Sequence, residues 1–128
     1  MRLLLDTHAL LWWLAGDRRL PPKARRAIED RSNTKFVSAA SAWEIATKTR
    51  VGRLPGGEKV ADEVPEWLFD QGFVGLDITV RHAQHAGGLP GEHRDPFDRM
   101  LIAQALIEGL TLVSNDEIFD AYGVRRFW

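Results

Sequence analysis

Leu3-Leu4-Leu5 is apolar at three successive positions and passes without a turn into Asp6-Thr7-His8 and the apolar helical stretch 9–15. A short buried strand that runs straight into a helix opens a βα unit, not a hairpin. The pattern recurs along the chain. Strand patterns at 2–5, 35–38, 73–76, 111–113 and 124–128 alternate with helix patterns at 7–15, 22–31, 39–49, 58–71, 79–86, 96–108 and 115–122. Such alternation predicts an α/β fold with a mainly parallel central sheet of about four or five strands flanked by helices. The punctuation agrees: Gly16 and Gly109 are placed as helix C-caps, and Pro22 suits a first helical turn. Pro55-Gly56-Gly57 breaks the third helix, Gly72 stops the fourth, and Gly87-Gly88-Leu89-Pro90-Gly91 is the clearest loop. In the strongest helix, 96–108, the expected core face is Met100, Leu101, Ala103, Ala105 and Leu106.

A chain of 128 residues can bury a core without staples, and a single domain over 1–128 is expected. The absence of cysteine excludes a disulfide framework and thiol chemistry, and suits a cytoplasmic protein. The formal charge of -1 gives no overall pull toward nucleic acid, so any such binding must use local patches. Asp6 and His8 interrupt the N-terminal apolar region, and nothing after it resembles a signal-peptide cleavage site. The run 9–15 is far too short for a membrane span.

Ligands in open parallel sheets bind at the carboxyl edge of the strands. Asp6 follows the first strand directly, and Glu44 lies in the first half of the helix after strand 35–38. Asp116 comes three residues after Val113. Asp98 starts a helix that runs back antiparallel to strand 111–113, which returns its N-terminus to the same edge. Each acid also has a local explanation. Asp6 and Asp116 suit helix caps, Asp98 suits a helix first turn, and Glu44 with Lys48 suits an i,i+4 pair. Four together at one edge are harder to explain locally. Ala40, Trp43, Ala46 and Thr47 suggest a largely buried setting for Glu44, where an unpaired charge is costly. Clustered carboxylates repel unless a cation holds them. Mg²⁺ prefers a few carboxylates, retained waters and phosphate oxygens, so metal-dependent phosphodiester hydrolysis is the chemistry that fits best.

Leu3-Leu4-Leu5-Asp6-Thr7-His8, Ser38-Ala39-Ala40-Ser41-Ala42-Trp43-Glu44-Ile45, Asp95-Pro96-Phe97-Asp98-Arg99-Met100-Leu101-Ile102-Ala103-Gln104-Ala105 and Leu112-Val113-Ser114-Asn115-Asp116 together resemble a PIN domain, specifically the VapC-type ribonuclease toxins. The pieces stand in the family's order and span nearly the whole chain. The resemblance implies Mg²⁺ or Mn²⁺, endonucleolytic cleavage of RNA through metal-activated water, a homodimer, and inhibition by a cognate antitoxin. By position, it implies Asp6 and Asp98 as direct metal ligands, Glu44 as a ligand or as a base acting through water, and Asp116 as a more distant ligand. Asp95 is an additional acid, read as the helix cap.

Competing classes leave their own traces. A phosphatase of the haloacid dehalogenase type would want a second acid at position 8, where this chain has His8. A receiver domain would want paired acids after the first strand. A non-catalytic binding module would use the same acids as caps or for a basic partner. Thr7 and Ser114 can position water or phosphate, or satisfy local backbone groups. His82 and His85 are spaced for a shared metal but lack a third ligand. Residues 17–31 carry six cations, Arg18, Arg19, Lys23, Arg25, Arg26 and Arg31, against three acids, either a phosphate-tracking surface or a solvated face. Lys48, Arg50 and Arg53 are candidates to hold an RNA backbone, and Arg99 to neutralise neighbouring acids. Trp12 and Trp13 cannot both face one core from one helix, so one is exposed, covered by a partner, or used in base stacking.

Overall fold

The computed structural model describes residues 1–54 and 61–128. Its sheet is built from β1 (Arg2–Leu5), β2 (Thr34–Ser38), β3 (Val74–Leu76), β4 (Thr111–Val113) and β5 (Arg126–Phe127) in the order β3-β2-β1-β4-β5. Every pairing is parallel. The helices are α1 (Thr7–Ala15), α2 (Pro22–Glu29), α3 (Ala39–Arg50), α4 (Val64–Asp70), α5 (Val80–Gly88) and α6 (Pro96–Glu108), with a 3-10 turn at Glu117–Tyr122. The expected helix at 58–71 begins outside the described residues, as does the break at Pro55-Gly56-Gly57; within the described residues it is interrupted at Asp62 and Glu63, and α4 follows from Val64. The expected helix at 115–122 is the tighter 3-10 form and starts at Glu117 because Asp116 serves as its cap. No helix among the described residues is long and apolar enough to cross a membrane.

Period-two alternation divides the central strands between two cores. Leu3 and Leu5 of β1, Val37 of β2 and Val113 of β4 face one core, closed by Ala9 and Leu10 of α1, Ala24 and Ile28 of α2, Ile45 of α3 and Leu68 of α4. Leu4 and Leu112 face the other, closed by Leu101, Ile102 and Ala105 of α6 with Phe119 and Val124. The leucines of β1 are 0% exposed, so each contributes about 1.5–3 kcal/mol by burial. This is why three consecutive leucines form the central strand: both of its faces are covered.

Helix α6 departs from the expected one-sided pattern. Its buried residues run continuously from Leu101 to Ala105, while Leu106 is 39% exposed. The helix packs on the sheet, on α5 and on α3, so it has no single wet face in its middle. Gln104, fully buried, donates to the Asp77 carbonyl at 3.3 Å and accepts from the Ser38 hydroxyl at 2.5 Å, tying α6 to the end of β2. Gly109 ends α6 at φ 66°, the left-handed conformation a C-cap requires.

Register fixes where the site falls. Leu5 stands opposite both Val37 and Val113, so the residues that follow them, Asp6, Ser38 and Ser114, stand at one level. The Asp6 amide still donates to the Val113 carbonyl at 3.1 Å, and the ladder extends one residue past β1 to carry the carboxylate.

Candidate active site

Asp6 caps α1: its Oδ1 accepts from the Ala9 amide at 2.7 Å. The expected cap role is therefore real, and it does not expend the group. Burial raises the Asp6 pKa above the usual carboxylate value, with the Glu44 charge adding to the rise; the Ser114 hydroxyl, the Ala9 amide and His8 pull the other way. Buried Ser114 is shared, since its Oγ also accepts from the Asp116 amide at 3.0 Å.

Glu44 is 5% exposed. Its Oε1 accepts from the Thr7 hydroxyl at 2.6 Å, and its Oε2 pairs with Lys48 one turn on. The predicted i,i+4 pair thus forms, but with its acid end buried. Of the four neighbours that suggested this burial, Ala40 is itself buried and Thr47 half-buried, but Trp43 and Ala46 are not its cause. Trp43 is 57% exposed and Ala46 also faces outward; Ser41, Thr7 and Lys48 enclose the carboxylate instead. Trp43 leans its ring against Phe97 at the start of α6, edge-on at 4.8 Å.

Asp95 and Asp98 divide two roles. Asp95 Oδ1 accepts from the amides of Phe97 and Asp98 at 2.9 and 3.1 Å and caps α6. Asp98 is left free of capping duty, and its Oδ2 lies 2.8 Å from His93 Nε2. Burial, together with the charges of Asp95 and Glu44, pushes the Asp98 pKa up to about 6, against the lowering effect of His93. Asp116 is exposed and caps the 3-10 turn through the Ile118 amide at 3.1 Å.

All four predicted acids line one cleft of about 610 Å³ at the carboxyl edge of the sheet, with Asp95, Glu117, Thr7, His8, Trp12 and Lys48 also on its walls. Six carboxylates face one lysine there, an imbalance that suits a hard cation. The acids line an open edge and are not drawn together: among the described residues no group of three or more His, Cys, Asp or Glu is placed to hold a metal ion as it stands. Open access suits Mg²⁺, which keeps several waters and shares its shell with phosphate oxygens.

Two residues of this site had no sequence signal, Glu117 and His93. Arg99 was misread. It does not face the acids but donates to the carbonyls of Ala86 at 2.9 Å, His93 at 3.0 Å and Leu89 at 2.5 Å, clamping the loop that carries His93. His82 and His85 do not share a site. Buried His82 completes the cap of α5 with Thr79 and meets Glu108 at 2.8 Å, while His85 faces outward. Arg50 and Arg53 are exposed and do not line the cleft.

Comparison with known proteins identifies the fold and the family. Ribonuclease VapC22 of Mycobacterium tuberculosis (strain ATCC 25618 / H37Rv) is 34% identical over 116 residues, covering 88% of this chain and 85% of the relative. The crystal structure of VapBC2 from Rickettsia felis, bound to a promoter DNA fragment, superposes with a TM-score of 0.72 at 18% identity, covering 99% of this chain and 98% of the other. Mycobacterium tuberculosis VapC20, a sarcin-ricin loop cleaving toxin, gives a TM-score of 0.70 at 17% identity and 95% coverage of each chain. The PIN domain family model matches residues 3–124. With residues 3–124 matched by the family model and a relative 34% identical across 88% of the chain, the protein belongs to the PIN domain family.

Proposed function

We propose that this chain is a metal-dependent endoribonuclease toxin of the VapC type. It cleaves RNA phosphodiester bonds with Mg²⁺ or Mn²⁺ at the acidic cleft, works as a cytoplasmic homodimer, and is held inactive by a cognate antitoxin. The observation that carries this reading is the convergence of Asp6, Glu44, Asp98 and Asp116 on one open cleft, where burial raises the pKa of both Asp6 and Asp98. The substrate class and the partner come by analogy, from a relative named as a ribonuclease and fold neighbours that are VapBC pairs.

Asp6 and Asp98 are assigned to hold the cation, with Glu44 and Asp116 beside them. When bound, the cation supplies charge neutralisation and Lewis acidity toward a phosphodiester. The remaining work falls to the chain's own groups. The Ala9 amide fixes Asp6, and His93 fixes one oxygen of Asp98. The Thr7 hydroxyl orients Glu44, which takes the proton-accepting role toward the attacking water. Lys48 is the cation on the cleft wall available to a substrate phosphate.

Purified protein incubated with Mg²⁺ or Mn²⁺ is expected to cleave RNA, with activity lost in EDTA and in Asp6→Asn while the circular dichroism spectrum is retained. Undiminished cleavage in EDTA, or full activity of Asp6→Asn, refutes the metal mechanism. A stable aspartyl-phosphate on Asp6 would point to phosphatase chemistry.

A further inference from the structure

Beside the acidic cleft, several aromatic rings near the ends of the chain carry cations over them. Trp12 lines the cleft with Asp6, Thr7 and His8. Its ring lies 5.7 Å from that of His8, one turn back on α1, and 5.9 Å from that of Trp128. The Arg19 guanidinium stands 5.0 Å from the centre of the Trp12 ring. Asp17 holds it there, accepting from Nε at 3.1 Å and Nη2 at 2.7 Å. Farther along, Lys23 sits 4.7 Å over the Phe127 ring and Arg25 lies 5.8 Å from that of Trp13.

Core packing accounts for the rings but not for the cations set over them. Trp12, Trp13, Phe127 and Trp128 all rest on the first core, so the two adjacent tryptophans share it after all, but that contact has no use for an Arg19 side chain that is 68% exposed and held over the Trp12 ring by Asp17. An apolar protein surface docking here would have to cover three fixed cations. A single nucleic acid strand uses both components, because its bases stack on flat side chains and guanidinium planes while its phosphates meet cations. The distance from the acids is also right in kind, since Trp12 and Asp6 share the wall of one cleft.

Resting on the nuclease reading above, we propose that Trp12, with His8, Trp128 and Arg19, is a stacking subsite for one base of single-stranded RNA next to the scissile phosphate, with Lys23 meeting the phosphate beyond it. The six-cation segment 17–31 then acts through particular members, Arg19 and Lys23, placed by the rings they cover.

The test uses the full chain carrying Asp6→Asn as a non-cleaving background, titrated against an oligouridylate that contains one 2-aminopurine. Stacking on Trp12 quenches the probe. Trp12→Leu in that background is expected to abolish the quench and raise Kd about tenfold, in the range seen for loss of one base-stacking ring. Arg19→Gln, a surface change that leaves the core untouched, is expected to raise Kd several-fold, and it decides the matter if Trp12→Leu does not fold. Unchanged Kd in both variants, or no quench in the background protein, overturns the subsite. Cleavage of total RNA by the unmodified chain with Mn²⁺ separates the two levels of inference. If cleavage occurs and binding ignores Trp12, the subsite alone falls; if neither cleavage nor binding occurs, the nuclease reading falls with it. Loss of antitoxin binding in Trp12→Leu at unchanged RNA affinity would assign the face to a protein and also overturn the subsite.

Discussion

Replacing Asp98 with asparagine isolates the electrostatic cost of the cleft, because the amide keeps the size of the carboxyl group and an oxygen for His93 Nε2 at 2.8 Å. Burial and the neighbouring acids raise the Asp98 pKa from 3.8 to about 6. A rise of about two pH units is about 3 kcal/mol of preference for the neutral form. The side chain is 23% exposed, and solvent screening trims the cost of the charge to roughly 1.5–2 kcal/mol. Asparagine also gives up the favourable carboxylate at the N-terminus of α6, about 0.5 kcal/mol. The net expectation is that Asp98→Asn is more stable than the parent by about 1 kcal/mol at pH 7.5 in EDTA. Below pH 3.8 Asp98 is protonated in both folded and unfolded chains, so the charge penalty is absent there. It grows between that value and about 6 and is complete above it. Urea unfolding at pH 4 and pH 7.5 measures the difference: the stability gain appears at the higher pH and shrinks toward zero at the lower. A variant equally stable or less stable than the parent at pH 7.5, or a gain of the same size at both pH values, refutes the reasoning.

Three further outcomes follow from the geometry. Saturating Mn²⁺ raises Tm of the parent, by the equivalent of about 2.7 kcal/mol at a hundredfold excess over Kd, and Asp6→Asn removes most of that shift; an equal shift in both proteins counts against Asp6 as a ligand. Arg99→Met frees three carbonyls, that of Ala86 near the end of α5 and those of Leu89 and His93 in the loop before α6, and is expected to cost about 2–3 kcal/mol, with faster amide hydrogen exchange over 87–94; slow exchange in the variant would deny the clamp. Thr7→Val leaves buried Glu44 Oε1 without its donor and costs about 1–3 kcal/mol by chemical denaturation, whereas Thr7→Ser, which keeps the hydroxyl, is close to neutral.

The acids were legible because chain direction alone carries them to one edge. A strand followed directly by a helix ends where that helix begins, and Asp6, Glu44 and Asp116 sit just past strands whether or not any side chain is known. Asp98 needed only the antiparallel return of α6 onto β4. Side-chain surroundings were less legible. Glu44 is buried as expected, but by Thr7, Ser41 and Lys48 and not by Trp43, since residues adjacent on a helix point about 100° apart. The same geometry misled the reading of Arg99: adjacency to Asp98 turns its guanidinium away from the acids and toward the loop. His93 was silent because its meeting with Asp98 depends on the path of that loop, which Arg99 sets through carbonyls that no side-chain pattern reveals. The continuous burial of α6 was hidden for a related reason, because a helix pressed from several sides carries no stripe.

The strand order β3-β2-β1-β4-β5 also sets when the cleft comes into being. Residues 2–76 contain the strands of one half of the sheet, so β1 can pair with β2 while the rest of the chain is still being made, consistent with assembly that proceeds from the N-terminus during synthesis. The other edge of β1 must wait for β4, more than a hundred residues later, and with it come Asp98, Asp116 and the carbonyl of Val113 that receives the Asp6 amide. A chain emerging from the ribosome therefore carries Asp6 and Glu44 long before it carries the acids that complete their edge. The placement of its first strand at the centre of the sheet makes the cleft one of the last features to form.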